Sequence, residues 1–221
     1  MAAVGLIDSI SELSGMGVEK TGTSIMAVTF NGGVVVGADS RTTSGTYIAS
    51  RVSDKLEPIH SRIFCLRSGV SSHTQTLAKY VRNYLSQYAV NENSEYPEVG
   101  VAARLFQVMN YSNKDFLRAS IIVAGWDPVQ GSQVYEIPLG GSMVQVPFAI
   151  SGSGSGYIYG YCDANWRPNM SENEAVEFVK NALSLAMSRD GSSGGISRYA
   201  VIRPDGVTRN YVSQSDLPYR G

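Results

Sequence analysis

From Thr23 onward the chain switches between two hydrophobic periodicities. Ser24-Ile25-Met26-Ala27-Val28-Thr29-Phe30 and Val34-Val35-Val36-Gly37-Ala38 flank Asn31-Gly32-Gly33, which predicts two strands joined by a glycine turn. A second short strand pair is predicted over 46–50 and 63–67, ending at Gly69. The period then becomes helical. Leu77, Val81, Tyr84, Leu85 and Tyr88 share one face of a segment that Ser71 and Ser72 could cap. A second helix is predicted over 99–111, with Val101, Leu105, Val108 and Met109 at core spacing. Residues 119–126, 133–138 and 143–150, separated by Asp127-Pro128-Val129-Gln130-Gly131 and by Gly140-Gly141, predict a three-strand meander. After a Gly/Ser loop come a short Tyr-rich helix from Tyr157 and a longer one from Ser171. In the latter, Ser171 and Glu174 form a capping box ahead of Val176, Val179, Leu183, Ala186 and Met187. Strands at 199–203 and 207–212 flank Pro204-Asp205-Gly206 and complete the pattern.

The order is strands, two helices, strands, two helices, strands. Strands grouped in hairpins imply mainly antiparallel sheets, and helix pairs cover two stacked sheets most economically from outside. The predicted fold class is α+β, a four-layer αββα sandwich. Without an internal repeat or linker, residues 23–221 read as one domain. Residues 14–22 are small and polar with no periodicity, so residues 1–22 read as a flexible leader.

Charge and rare residues narrow the chemistry. With 18 Lys+Arg against 19 Asp+Glu and no dense basic run, no footprint for nucleic acid or an acidic membrane surface is visible. No apolar run approaches the ~20 residues of a membrane span. The two cysteines, Cys65 and Cys162, lie in apolar or aromatic segments and read as reduced, buried thiols of a cytosolic or nuclear protein. With only two histidines besides, no zinc framework is expected. His60 and His73 lack carboxylate partners at suggestive spacing and are expected to be solvated or locally bonded surface groups.

Two glycine-serine loops invite functional readings that their contexts refuse. Gly152-Ser153-Gly154-Ser155-Gly156 lacks the third glycine and the βαβ unit of a dinucleotide site. Gly191-Ser192-Ser193-Gly194-Gly195 has nucleophile-elbow spacing but follows a helix, and no histidine lies beyond it. A general base could come from elsewhere. Cleavage after Gly22 would leave Thr23 with a hydroxyl nucleophile and a free α-amine of pKa roughly 7.7–8 on one residue. Such a site needs a buried charge partner, for which Asp39 and Lys55 are candidates. Without further context those two read first as a structural ion pair.

Taken together, Gly22-Thr23-Ser24-Ile25-Met26-Ala27-Val28, Gly37-Ala38-Asp39-Ser40-Arg41, Ser53-Asp54-Lys55, Gly152-Ser153-Gly154-Ser155 and Asp190-Gly191-Ser192-Ser193-Gly194-Gly195 resemble a catalytic β subunit of the 20S proteasome over residues 22–213. The resemblance implies the N-terminal nucleophile hydrolase fold and a threonine endopeptidase over 23–221, made with a 22-residue propeptide that it removes itself at Gly22-Thr23. It implies Thr23 as nucleophile, Asp39 and Lys55 as its charge network, and Ser153, Asp190 and Ser193 as groups orienting the amine and hydroxyl. Gly69 would supply the oxyanion amide. Thr43 would pair with an extended substrate, and Thr42, Ser53 and Ser71 would also contact it. Arg67, two residues before Gly69, resembles the pocket floor of the caspase-like type, which cleaves after acidic residues; the alternative is that Arg67 pairs with an acidic group of its own chain. Where this type commonly shows Cys-Arg-Ser-Gly-Ser-Ala-Ala-Asp, the chain has Leu66-Arg67-Ser68-Gly69-Val70-Ser71-Ser72-His73, so Ser71 and His73 are departures near the pocket.

The resemblance further implies partners: α and β subunits in stacked seven-membered rings, assembly chaperones, regulatory caps, and unfolded or ubiquitin-tagged polypeptides as substrates. It implies no metal or cofactor, and residence in cytoplasm and nucleus. The alternative is a non-catalytic structural subunit of the same barrel.

Overall fold

The computed structural model describes residues 22–219; of the expected leader, all but Gly22 lies outside these residues. Among the described residues, twelve strands and four α-helices follow in chain order. They begin with β1 (Ile25–Phe30), β2 (Gly33–Ala38), β3 (Thr42–Ser44), β4 (Tyr47–Ser50), β5 (Leu56–His60) and β6 (Ile63–Gly69). Helices α1 (Ser71–Asn91) and α2 (Val99–Ser112) come next, then β7 (Ala119–Asp127), β8 (Gly131–Ile137), β9 (Val144–Gln145) and β10 (Phe148–Ser151). The chain continues through α3 (Tyr159–Asn165), α4 (Glu172–Arg189), β11 (Ser197–Arg203) and β12 (Gly206–Val212).

Two five-stranded sheets, in the orders β10-β1-β2-β11-β12 and β5-β6-β7-β8-β9, carry the fold, and β3-β4 forms a small third sheet. Every strand pair among the described residues is antiparallel. Side-chain alternation divides the core into three apolar layers. From β1, Ile25 and Ala27 face the layer between the sheets, where they meet Leu66, Ile122 and Val134. Met26 and Val28 of the same strand face outward to Val179, Ala182 and Leu183 of α4. On the other sheet, Cys65, Ile121 and Val123 meet Leu77, Val81 and Phe106 of α1 and α2. Helices outside and sheets inside make the expected four-layer α+β sandwich.

The predicted hairpin is β1–β2, and the capping box is formed: Ser171 Oγ accepts from Glu174 N, and Glu174 Oε2 accepts from Ser171 N at 2.8 Å. Three predicted features are corrected. The segments 46–50 and 63–67 do not pair; β4 pairs with β3, while β6 lies between β5 and β7. The segment 143–150 is not a third meander strand but divides between the sheets, β9 pairing with β8 and β10 with β1. At the division, Val146 N donates to Val134 O at 3.0 Å and the next residue's carbonyl, Pro147 O, accepts from Thr29 N at 2.9 Å. Finally, Ser71 and Ser72 do not cap α1. Its N-cap is Val70, and the Ser71 hydroxyl accepts instead from Gln75 Nε2 at 2.8 Å.

Candidate active site

Thr23 immediately precedes β1 and is buried beside the end of β2. Pairing of Ile25 with Ala38 brings the residues just outside the hairpin together: Asp39 N donates to Ser24 O at 3.0 Å, and Ser24 N donates to Asp39 Oδ1 at 2.9 Å. Asp39 is fully buried, and its carboxylate has four donors. Besides Ser24 N, Oδ1 accepts from Lys55 Nζ at 2.6 Å, while Oδ2 accepts from the amides of Arg41 and Gly194, each at 3.0 Å. A buried carboxylate is tolerated on those terms.

Lys55 precedes β5. Burial pulls its pKa below the ordinary lysine value, against the opposing pull of the Asp39 charge. The same ammonium donates to Gly22 O at 3.0 Å, and the Thr23 hydroxyl donates to that oxygen at 2.7 Å. The Thr23 hydroxyl and the Lys55 ammonium thus meet at one atom, the carbonyl oxygen preceding Thr23. Gly22 N is held in turn by Thr43 Oγ1 at 3.1 Å.

The two glycine-serine loops form one further wall. Ser153 Oγ accepts from Thr23 N at 3.1 Å and donates to Asp190 Oδ2 at 2.7 Å; Ser193 Oγ donates to the same carboxylate oxygen at 2.5 Å. Asp190 caps the C-terminal end of α4, where the helix dipole disfavours an anion, so these hydroxyls and the Ser192 amide at 3.0 Å supply its compensation. Gly152 has φ +94°, and a Cβ there would lie 2.1 Å from Thr23 O, so only glycine lets the loop approach the threonine.

An open cleft of ≈210 Å³ lies in front of Thr23, lined by Thr42, Ser53, Lys55, Arg67, Gly69 and Ser71 among others. Thr42 and Ser53 share a hydroxyl hydrogen bond of 2.7 Å. Gly69 ends β6 at φ +112°, with the Arg118 carbonyl 2.3 Å from where a Cβ would sit. Thr43 is not among the lining residues; it is buried beneath Gly22. Arg67 does pair with an acid of its own chain: its Nε lies 2.8 Å from Glu57 Oε2, and its Nη1 reaches Thr74 Oγ1 at 3.4 Å.

Reading the sequence missed two features. Ser24, hidden beside Thr23 in an apolar run, shares a 2.8 Å hydrogen bond with Ser193 Oγ and so extends the hydroxyl network. His73 is not a surface group. It is 4% exposed in the first turn of α1, its Nδ1 accepts from Arg118 N at 3.3 Å, and burial lowers its pKa, which keeps the ring a neutral acceptor. His60, by contrast, is half-buried and bonds locally to Ser61. Among the described residues no three His, Cys, Asp or Glu side chains gather as a metal site requires.

This constellation has counterparts in known proteins. The family model described as "Proteasome subunit" matches residues 19–202. Proteasome subunit beta type-6 of Dictyostelium discoideum is 57% identical over 197 residues, covering 89% of this chain and 92% of the relative. Proteasome subunit beta type-1 of Saccharomyces cerevisiae is 53% identical over 188 residues, covering 85% and 86%. Proteasome subunit beta type-9 of Mus musculus bactrianus is 46% identical over 198 residues, covering 90% of each. With matches of this extent, the chain belongs to the proteasome β-type subunit family, whose members assemble with other proteasome subunits into a core particle.

Proposed function

We propose that the chain is a threonine endopeptidase subunit, activated by its own cleavage of the Gly22–Thr23 bond and cleaving polypeptides after acidic residues. The observation that carries the first part is the convergence of the Thr23 hydroxyl and the Lys55 ammonium on Gly22 O, with Asp39 behind the lysine. In self-cleavage Thr23 Oγ1 adds to the Gly22 carbonyl carbon, and the charge that develops on Gly22 O lies against Lys55. The C–N bond breaks as the hydroxyl proton passes to the Thr23 nitrogen, a transfer that a lysine with lowered pKa is suited to relay. Water then hydrolyses the ester, leaving a Gly22 carboxylate and a free Thr23 amine.

The freed amine sits by Ser153, which Asp190 orients. On a substrate, Thr23 Oγ1 adds to the scissile carbonyl while the amine takes its proton and returns it to the departing substrate nitrogen. Water releases the acyl group. Gly69, on the cleft wall, is assigned the oxyanion amide. Preference for acidic side chains rests on Arg67: Glu57 is shared with Arg82, whose Nη2 lies 2.9 Å from Oε1, so two guanidinium groups against one carboxylate leave a net positive floor. Substrates, assembly factors and caps reaching this subunit are those of a particle in cytoplasm and nucleus.

Intact mass of the chain within its assembled particle tests the activation step. The expected N-terminus is Thr23; a chain that keeps residues 1–22 overturns the catalytic reading in favour of a structural subunit. For the pocket, Arg67→Met in the mature particle is expected to abolish the preference for Glu and Asp, and unchanged cleavage after those residues removes the assignment.

A further inference from the structure

Glu57, Arg67 and Arg82 are brought to one place by the sheet and the helix that covers it. Glu57 of β5 stands directly opposite Cys65 of β6, and Arg67 follows Cys65 by two residues, so all three side chains leave the helix-covered face of the sheet. Arg82 reaches them from α1 and is anchored separately by the Pro58 carbonyl, at 2.7 Å from Nη2. Each guanidinium faces a different carboxylate oxygen: Arg82 Nη2 donates to Oε1 at 2.9 Å, whereas Arg67 Nε lies 2.8 Å from Oε2 as an ion pair without a hydrogen bond. Arg67 is 13% exposed, Glu57 21% and Arg82 43%.

An arginine and a carboxylate left to themselves pair through two parallel N–H···O bonds. Here no such fork forms: Arg67 Nε lies 2.8 Å from Oε2 as an ion pair without hydrogen-bond alignment, and Oε1 is held by Arg82. The Nη edge of Arg67 bordering the cleft is left with a 3.4 Å contact to Thr74. We propose that Arg82 is a specificity-determining residue: by holding Oε1 of Glu57, it prevents that carboxylate from closing over Arg67 and so reserves the guanidinium edge for an acidic side chain of the substrate. Glu57 acts in the opposite sense, as the internal competitor that moderates the pocket. This rests on the reading that Arg67 meets the substrate's acidic residue.

The test compares assembled particles carrying single variants of this subunit. Each is assayed with fluorogenic peptides that differ only in Glu or Leu before the scissile bond, and the readout is the ratio of their kcat/KM values. For partly exposed ion pairs, Arg82→Gln is expected to lower the Glu/Leu ratio about two- to fivefold and Glu57→Gln to raise it by a similar factor. Arg82→Lys, which keeps the charge, retains most of the parental ratio. Movement of both Gln variants in the same direction, or a ratio unmoved by either, overturns the proposal while the parental preference for Glu stands. A parent with no preference for Glu, or one whose preference survives Arg67→Met, overturns the underlying pocket reading instead.

Discussion

Lys55 Nζ lies 2.6 Å from Oδ1 of Asp39, a fully buried carboxylate that also accepts from three backbone amides. The pair is asymmetric. Without Lys55 the carboxylate keeps its amides, whereas without Asp39 the ammonium keeps only Gly22 O. Lys55→Ala is therefore expected to fold and assemble but to slow removal of residues 1–22 by about 10²–10⁴-fold, followed as intact mass against time. Asp39→Asn, which strands a buried cation, is expected to cost about 3–5 kcal/mol as well, read by urea unfolding of the full-length chain.

Asp127, fully buried, fastens α2 to the β7–β8 turn. Its carboxylate accepts from the amides of Val99 at 2.9 Å, Val129 at 2.9 Å and Gln130 at 2.8 Å, and from Gln133 Nε2. Asp127→Ala leaves these donors without their acceptor and should cost about 3 kcal/mol, a fall in Tm of roughly 6–12 °C for a chain of this size. The site chemistry lies elsewhere, so variant particles that assemble should keep their kcat.

Acid stability should depend on the α4 cap. Hydrogen bonds from the Ser171 backbone and hydroxyl, with help from Arg167, hold the Glu174 carboxyl down at about 2, against an ordinary 4.5. Between those values the unfolded chain binds a proton that the folded chain does not, so this contribution is complete above pH 4.5 and disappears as pH falls towards 2. In Glu174→Gln, the decline in Tm over that range should be shallower than in the parent, and at pH 7 the variant should be the less stable of the two.

Both cysteines should be chemically silent in the folded protein. Burial pushes the Cys162 thiol up to about 12, and Cys65 further, so almost no thiolate exists at neutral pH. Titration with a thiol-disulfide reagent at pH 8 is expected to find neither thiol in the native chain and both after denaturation. Rapid native labelling of either residue would contradict their placement in the helix-covered layers.

The sequence carried the layers well because alternation along β1, β6 and β7 is a local property: each residue's polarity says which face it takes. It carried neighbours poorly. Leu56-Glu57-Pro58-Ile59-His60 has a proline and mixed polarity, so β5 was invisible, and with it the Glu57 partner of Arg67. Periodicity over 143–150 is equally compatible with either sheet, and only tertiary pairing divides it. That Gly22, Thr23 and both glycine-serine loops come together could be anticipated because their residue types are chemically unusual together. The part of Ser24 could not, as one hydroxyl at the head of an apolar strand, and His73 finds its partner in the Arg118 amide, 45 positions away.

The division of the chain between Val146 and Pro147 has a mechanical consequence. A single peptide unit separates the Val146 amide, tied to Val134 of the sheet bearing Arg67, from the Pro147 carbonyl, tied to Thr29 of the strand that Thr23 leads into. Any shear of one sheet across the other would have to be absorbed within that single unit. The spacing of Thr23 and Arg67, proposed above to attack and to select the substrate, is therefore restrained at this crossing by backbone rather than by side chains.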